Sequence, residues 1–258
     1  MIGRIAALHR HPVKGFTPES VRAVVLVAGE SFPCDRIFSV EDGPSGFDPA
    51  HPAQVSKMRF TVLAKSPVLA RIRTAYDEAT GDFMVETKGR PPFIARLTTP
   101  QGRVALETWL AAFLVEQEPP ESHGPLKVLA GAEHGHRFMD STKGFVSLIN
   151  LASVRDLEHR LGRPVDPARF RANVLVDGWP AWSESGRAGQ TLRLGGTVLT
   201  VLADIDRCAA THVDPATGEK DIDMVPELFA LRGDICCGLY AEVTVGGRLA
   251  VDDAAVAP

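Results

Sequence analysis

The chain has 258 residues, enough for one large or two modest domains and for a core that needs no disulfide or metal to hold it. Hydrophobic residues make up 45% and charged residues 23%, the balance of a globular protein rather than a disordered or fibrous one. A formal net charge of −4 excludes the basic footprint of a general nucleic-acid binder, while leaving room for a local basic pocket.

The chain opens on Met1-Ile2-Gly3-Arg4-Ile5, with no basic segment leading into an apolar one, so no signal peptide is expected. No apolar run approaches the roughly 18 residues of a membrane span, which points to a cytoplasmic protein without a membrane partner. Runs at 2–8, 21–27 and 37–40 are rich in β-branched residues and bounded by Pro, Gly and Asp, and predict strands. Gly43-Pro44-Ser45-Gly46 opens a long polar loop that extends to Gln54. Further strands are expected at 70–75 and 83–86, with Gly81-Asp82 as the turn between them. After Pro100, Leu106, Trp109, Leu110, Phe113 and Leu114 share one helical face. The stretch from Glu116 to Gly124, with Pro119-Pro120, reads as a connector and divides the chain into 1–118 and 119–258.

A second helix starts at the capping residue Asn150, repeats Val154, Leu157 and Leu161 on one face, and stops at Gly162 and Pro164. Strands return at 173–176, 192–194, 198–202 and 240–245, and Gly246-Gly247 predicts a hairpin into 249–251. Residues 226–231 fit one short helix. Many short strands with few helices predict a mainly β, α+β fold: barrel-like β structure with peripheral helices, not an alternating doubly wound sheet.

The sequence lacks the P-loop, the Rossmann glycine fingerprint, H-E-x-x-H and G-x-S-x-G, so the corresponding chemistries lose their main support. The four cysteines, Cys34, Cys208, Cys236 and Cys237, form no C-x-x-C pair, and in a cytosolic protein they are expected as thiols. His134 and His136 form an H-x-H pair with no third ligand nearby and read as an exposed loop.

The densest run is Asp204 to Glu219, in which Cys208 follows an apolar strand. Arg207 beside Cys208 favours the thiolate, which binds thiophilic metals, and Asp214-Pro215-Ala216-Thr217-Gly218 makes a turn. On these residues alone a reactive Cys208 and a buried structural thiol are equally supported. In Phe170-Arg171-Ala172-Asn173 an Arg able to grip phosphate in two places precedes a strand. In His11-Pro12-Val13-Lys14-Gly15 a glycine permits a tight backbone beside a cation. Each of these also reads as a solvated surface charge.

Taken together and in order, these clusters resemble the MOSC family, named for the C-terminal domain of molybdenum cofactor sulfurases, and within it the two-part proteins akin to the amidoxime-reducing component and its bacterial relatives. His11-Pro12-Val13-Lys14-Gly15 resembles the Y-P-V-K-[SG] signature of the N-terminal β-barrel domain, and Cys34-Asp35-Arg36 its G-D-R motif. Phe170-Arg171-Ala172-Asn173 resembles F-R-x-N. The run from Arg207 to Gly218 resembles R-C-x-x-T-x-V-D-P-x-T-G, which is long and specific. His11 stands where the family has Tyr, Cys34 where it has Gly, and Ser56-Lys57-Met58 where it has T-x-R-Q.

The resemblance implies an N-terminal β-barrel-like domain over 1–118 and a MOSC-type barrel over 119–258. It implies Cys208 as the thiolate on molybdenum, with Lys14, Arg36, Asp140, Ser141, Arg171, Asn173 and Arg207 around a molybdenum cofactor (molybdopterin). It implies two-electron reduction of a small N-hydroxylated or N-oxide substrate. The alternative is a sulfur carrier with a persulfide on Cys208; pyridoxal phosphate binding is a property of the wider family. Without a ferredoxin-like or desulfurase segment, electrons or sulfur come from a separate donor protein.

Overall fold

The computed structural model describes residues 1–119, 123–143 and 145–257, so part of the expected connector, 120–122, lies outside the described residues. In chain order the first half holds β1 (Ile2–Arg10), β2 (Glu19–Val21), β3 (Ala23–Leu26), β4 (Phe38–Asp42), β5 (Arg73–Tyr76), β6 (Asp82–Glu86), β7 (Phe93–Arg96) and α1 (Pro100–Gln117). The second half holds β8 (Leu126–Ala130), β9 (Val146–Asn150), α2 (Leu151–Leu161), β10 (Val174–Asp177), β11 (Thr191–Leu194), β12 (Thr197–Asp206), α3 (Met224–Arg232), β13 (Cys236–Val245), β14 (Gly247–Ala250) and β15 (Ala254–Val256).

Seven strands close a barrel in the order β10-β9-β13-β12-β11-β15-β1, with β1 pairing back onto β10. Alternate residues of these strands point inward, and Ile5, Leu8, Leu148, Leu192, Leu194, Leu199, Val201, Leu239 and Val243 fill the interior. The first strand of the chain is therefore a stave of a barrel otherwise built from its second half. The remaining sheets are small: β4 pairs with β8, β14 with β3, and β5-β6-β7 form a meander. Helix α1 buries Leu106, Leu110, Phe113 and Leu114 in a second core shared with that meander. Among the described residues no helix is long and apolar enough to cross a membrane.

Local chemistry explains the helix ends. Thr99 caps α1 by accepting from Gly102 N at 3.1 Å, and Pro100 occupies the first turn, where its missing N–H costs nothing. Asn150 caps α2 by accepting from Ala152 N at 3.1 Å, and Gly162 closes it in the left-handed conformation (φ +64°).

The structure corrects three expectations. Gly246-Gly247 is not a hairpin turn: β14 pairs with β3 instead of β13. Neither glycine has the positive φ that a two-residue turn requires. Their role is close approach, since a Cβ at Gly246 would lie 2.7 Å from Leu26 O and one at Gly247 2.7 Å from Gly196 O. The run 21–27 is two strands, because the chain leaves one sheet for another at Arg22. The run 70–75 begins as the 3-10 turn Pro67–Arg71, set by Pro67 at its start, before β5. A crossover also escapes the pattern: β9 and β10 are parallel and joined through α2.

Asn173 ties three staves together. Its Oδ1 accepts from Ser147 N at 3.0 Å and Ser147 Oγ at 2.7 Å, and its Nδ2 donates to His9 O at 3.2 Å. The residue is fully buried. Asn173→Ala leaves several buried polar groups unpaired and is expected to cost about 2–3 kcal/mol, read as a lower urea midpoint with an unchanged slope.

Candidate functional site

At one end of the barrel, where β12 runs out into the turn carrying Cys208, a cavity of about 530 Å³ opens between the barrel and the first half of the chain. Lys14, Arg36, Asp140, Ser141, Arg171, Arg207 and Cys208 all line it. Asn173 does not; it acts on the wall through Ser147, which does. Sequence reasoning gave no site role to Lys57, Lys143, Ser147, Arg169 and Tyr240, also in the wall. Lys57, within Ser56-Lys57-Met58, and Arg169, two residues before Arg171, were the two with a motif to mark them.

Cys208 is partly buried. Its carbonyl accepts from Thr211 N at 2.9 Å and Thr211 Oγ1 at 2.8 Å, so the backbone organises the 3-10 turn Ala209–His212 while the thiol makes no capping bond. Burial lowers the Lys57 ammonium, but Asp140 and the Cys208 thiol on the same wall outweigh it and raise it. Asp214, the turn residue of the same run, accepts from Ala216 N and Thr217 N, each at 2.8 Å, and pairs with Arg169 Nη2 at 3.0 Å. Arg169 also pairs with Asp221 at 2.8 Å. Arg169 is thus neutralised and serves as a brace.

Arg207 is a brace of a different kind. Its Nε donates to Cys237 O at 2.7 Å and its Nη1 to Phe170 O at 2.8 Å, with the guanidinium over the Phe170 ring. It orients the two segments that carry Cys208 and Arg171.

The inner wall is cationic. Lys14 is buried, donates to Phe138 O at 2.8 Å and pairs with Asp140, whose other oxygen lies 3.5 Å from Lys57 Nζ. Burial alone would raise the Asp140 carboxyl, but Lys14, Lys57 and Arg36 together bring it down to about 2. Arg36 pairs with the buried Asp35 and donates to Arg171 O at 3.3 Å. Arg171 donates to Phe16 O at 2.8 Å, but its buried Nη2 has no partner among the described residues. Burial and the like charge of Arg36 push Arg171 down to about 9. Arg36 and Arg171 both hold φ near +50° (51° and 52°), an uncommon backbone for such residues and a pattern that clusters at functional sites.

The lining carries Lys14, Lys57, Arg36 and Arg171, with Lys143, Arg169 and Arg207, against the carboxylates of Asp140, Asp204 and Asp206, while Asp35 lies buried behind it. This surplus of positive charge, with buried guanidinium nitrogens of Arg169 and Arg171 unpaired among the described residues and a soft sulfur on the same wall, suits a ligand that is anionic and thiophilic. Gly15 makes room beside it: its φ is +86°, and a Cβ would lie 2.2 Å from Thr61 O.

His11 lies behind this wall, fully buried, with Nδ1 3.2 Å from Asp35 Oδ1 and Nε2 without a partner among the described residues. Burial, then Arg171 and Arg36, push its imidazole down to about 3, against the pull of Asp35. The folded protein thus refuses a proton that the unfolded chain takes up below its ordinary value near 6.5. Stability is retained above that value and falls as pH drops from 6.5 towards 3. Between pH 7 and 4.5 wild type is expected to lose about 2 kcal/mol more than His11→Asn, read from urea midpoints at the two pH values.

The family model for the MOSC N-terminal beta barrel domain matches residues 2–117, and that for the MOSC domain matches residues 135–256. A molybdenum cofactor sulfurase of Caenorhabditis elegans is 37% identical over 100 residues, which are 36% of this chain and 13% of that protein. Mitochondrial amidoxime-reducing component 1 of Mus musculus is 28% identical over 123 residues, 44% of this chain and 35% of that protein. The chain thus aligns with about a third or less of the length of these relatives. Among solved structures, the YUAD protein from Bacillus subtilis is 12% identical, with a TM-score of 0.46 over 99% of this chain and 94% of that one. With both family models matched in order, the chain belongs to the MOSC family, as an N-terminal MOSC beta barrel domain followed by a MOSC domain.

Proposed function

We propose that this chain holds a molybdenum–pterin cofactor through Cys208 and reduces small N-hydroxylated or N-oxide substrates by two electrons, in the cytoplasm. The observation that carries this reading is the juxtaposition of the Cys208 sulfur with a surplus of basic groups in one cavity, among them the buried Lys14 and the buried Nη2 of Arg171. The unpartnered Arg171 Nη2 fits a phosphate oxygen, and Lys14 and Arg36 add compensating charge. When bound, the cofactor supplies the two-electron redox couple and an oxygen-accepting metal.

The chain's own residues do the rest. Cys208 anchors the metal, and Arg207 and Asn173 fix the segments around it. Lys14 and Arg36 are paired with Asp140 and Asp35, so the anion meets preorganised cations rather than water. The net reaction takes two electrons and two protons to convert an N–OH group to N–H with release of water. The electrons come from a separate donor protein.

The direct test is molybdenum and pterin analysis of the purified protein, followed by reduction of an amidoxime with a chemical electron donor. Absence of both metal and pterin after expression in a cofactor-producing host overturns the reading. The identity with a molybdenum cofactor sulfurase favours a second reading, in which Cys208 carries a persulfide. A mass shift of one sulfur on Cys208 after incubation with a desulfurase and cysteine, without bound molybdenum, would support that reading instead.

A further inference from the structure

We infer that the Tyr240 hydroxyl is the proton donor for the reduction: it hydrogen-bonds the oxygen on the substrate nitrogen and protonates that oxygen as it leaves. This rests on the reductase reading above. Tyr240 lies on β13, where it pairs with Ala203 of β12 on one side and Ser147 of β9 on the other. All three line the main cavity. The chain neighbours Leu239 and Ala241 belong to the barrel core, so the two-residue period of the strand turns Tyr240 away from it. A strand paired on both sides holds the phenol more rigidly than a loop does.

The other titratable groups of the lining are committed. Asp140 is held at about 2 and stays ionised, and Lys14 donates to Asp140 and Phe138 O. Asp204 accepts from Gly186 N at 3.0 Å and Asp206 from the Cys236 thiol at 3.1 Å. Lys57 pairs with Asp140 at 3.5 Å, and Lys143 is exposed to solvent. Among the described residues no histidine lines the cavity. Tyr240 Oη differs. Among the described residues it has no hydrogen-bond partner, and the half-buried side chain faces the cavity.

The surrounding charges suit a group that loses and regains a proton. Burial raises the Tyr240 phenol and Asp140 adds to the rise, against Arg207, Arg36 and Lys57, so the resting group is the neutral O–H. The same three cations stabilise the phenolate once the proton has gone. In the step itself the N–O bond breaks, the oxygen leaves with the bonding pair, and the nitrogen takes up the two electrons that the cofactor supplies. The Tyr240 proton completes water from the departing hydroxide. One solvent proton completes N–H, and a second restores the phenol.

The test measures benzamidoxime and its oxygen-free product benzamidine on wild type and Tyr240→Phe, both purified from a cofactor-producing host. The variant loses no hydrogen bond within the described residues, so its urea midpoint, molybdenum and pterin are expected at wild-type levels. With a chemical electron donor its kcat for benzamidoxime is expected to fall about 100-fold, with KM raised far less. A kcat equal to that of wild type overturns the donor and leaves the reductase reading intact. Loss of molybdenum or pterin from Tyr240→Phe also overturns it, by assigning the hydroxyl to the cofactor.

Calorimetry of the same two compounds, without an electron donor, separates this inference from the reading beneath it. Tyr240→Phe is expected to bind benzamidoxime about 5-fold more weakly and benzamidine as well as wild type does. That selective loss, in a wild type that reduces nothing, sinks the reductase reading and leaves Tyr240 as the group that holds the oxygen. An equal loss for both compounds, or none for either, overturns the contact between Tyr240 and the oxygen.

Discussion

Cys208→Ala is expected to give a folded protein with reductase activity lowered more than about 100-fold and with molybdenum lost in the same proportion. The expectation follows from how the residue divides its work. The turn after β12 depends on the Cys208 carbonyl, which accepts from both Thr211 N and Thr211 Oγ1, and the alanine variant keeps that carbonyl. The side chain makes no capping bond and is only partly buried, so its removal costs stability about 1 kcal/mol or less. A metal ligand has no such substitute, since oxygen and nitrogen donors do not replace a soft thiolate. The paired measurement is metal content by mass spectrometry and stability by urea denaturation. A variant that keeps both molybdenum and activity would refute Cys208 as the ligand.

The separation of roles within the site was only partly legible in the sequence. Short motifs revealed local shape well. Asn150 and Gly162 mark both ends of α2, and Asp214 closes its turn on two backbone N–H groups, as turn chemistry requires. Motif order also pointed to residues that the fold brings around one cavity, although Lys14 and Cys208 are far apart in the chain. What stayed hidden depends on partners distant in sequence. Arg207 reads as a cation beside a cysteine, yet its guanidinium is satisfied by the carbonyls of Cys237 and Phe170. Asn173 reads as a ligand group, yet Ser147 and His9 take up its amide. Lys57 belongs to a polar loop with no periodicity, and its place depends on how that loop folds over Asp140. The same limit hid barrel closure, because no local pattern says that β1 must meet β10.

Arg171→Met is expected to make the cofactor-free protein more stable and the cofactor-bound state weaker, and this opposition of sign is the strongest test of the cationic wall. In the cofactor-free protein Arg171 is a liability. Its charge lies beside Arg36, its Nη2 is buried without a partner among the described residues, and burial with that like charge pushes it down to about 9. Methionine has comparable reach, no charge and no donor to leave unsatisfied. Replacing a poorly compensated buried charge by an apolar side chain typically stabilises by about 1–3 kcal/mol, from which the lost bond to Phe16 O subtracts part. With an anion in the cavity the balance reverses, because the same nitrogen gains a charge-assisted partner and Arg36 gains a shared counterion. Loss of that contact is expected to weaken retention of the pterin by about 10–100-fold. The penalty should shrink little in high salt, since the group is shielded from solvent. Urea midpoints of cofactor-free protein and pterin content after dialysis measure the two signs separately. A less stable cofactor-free variant that keeps its pterin would mean that Arg171 braces the fold through Phe16 and leaves the anion to Lys14 and Arg36.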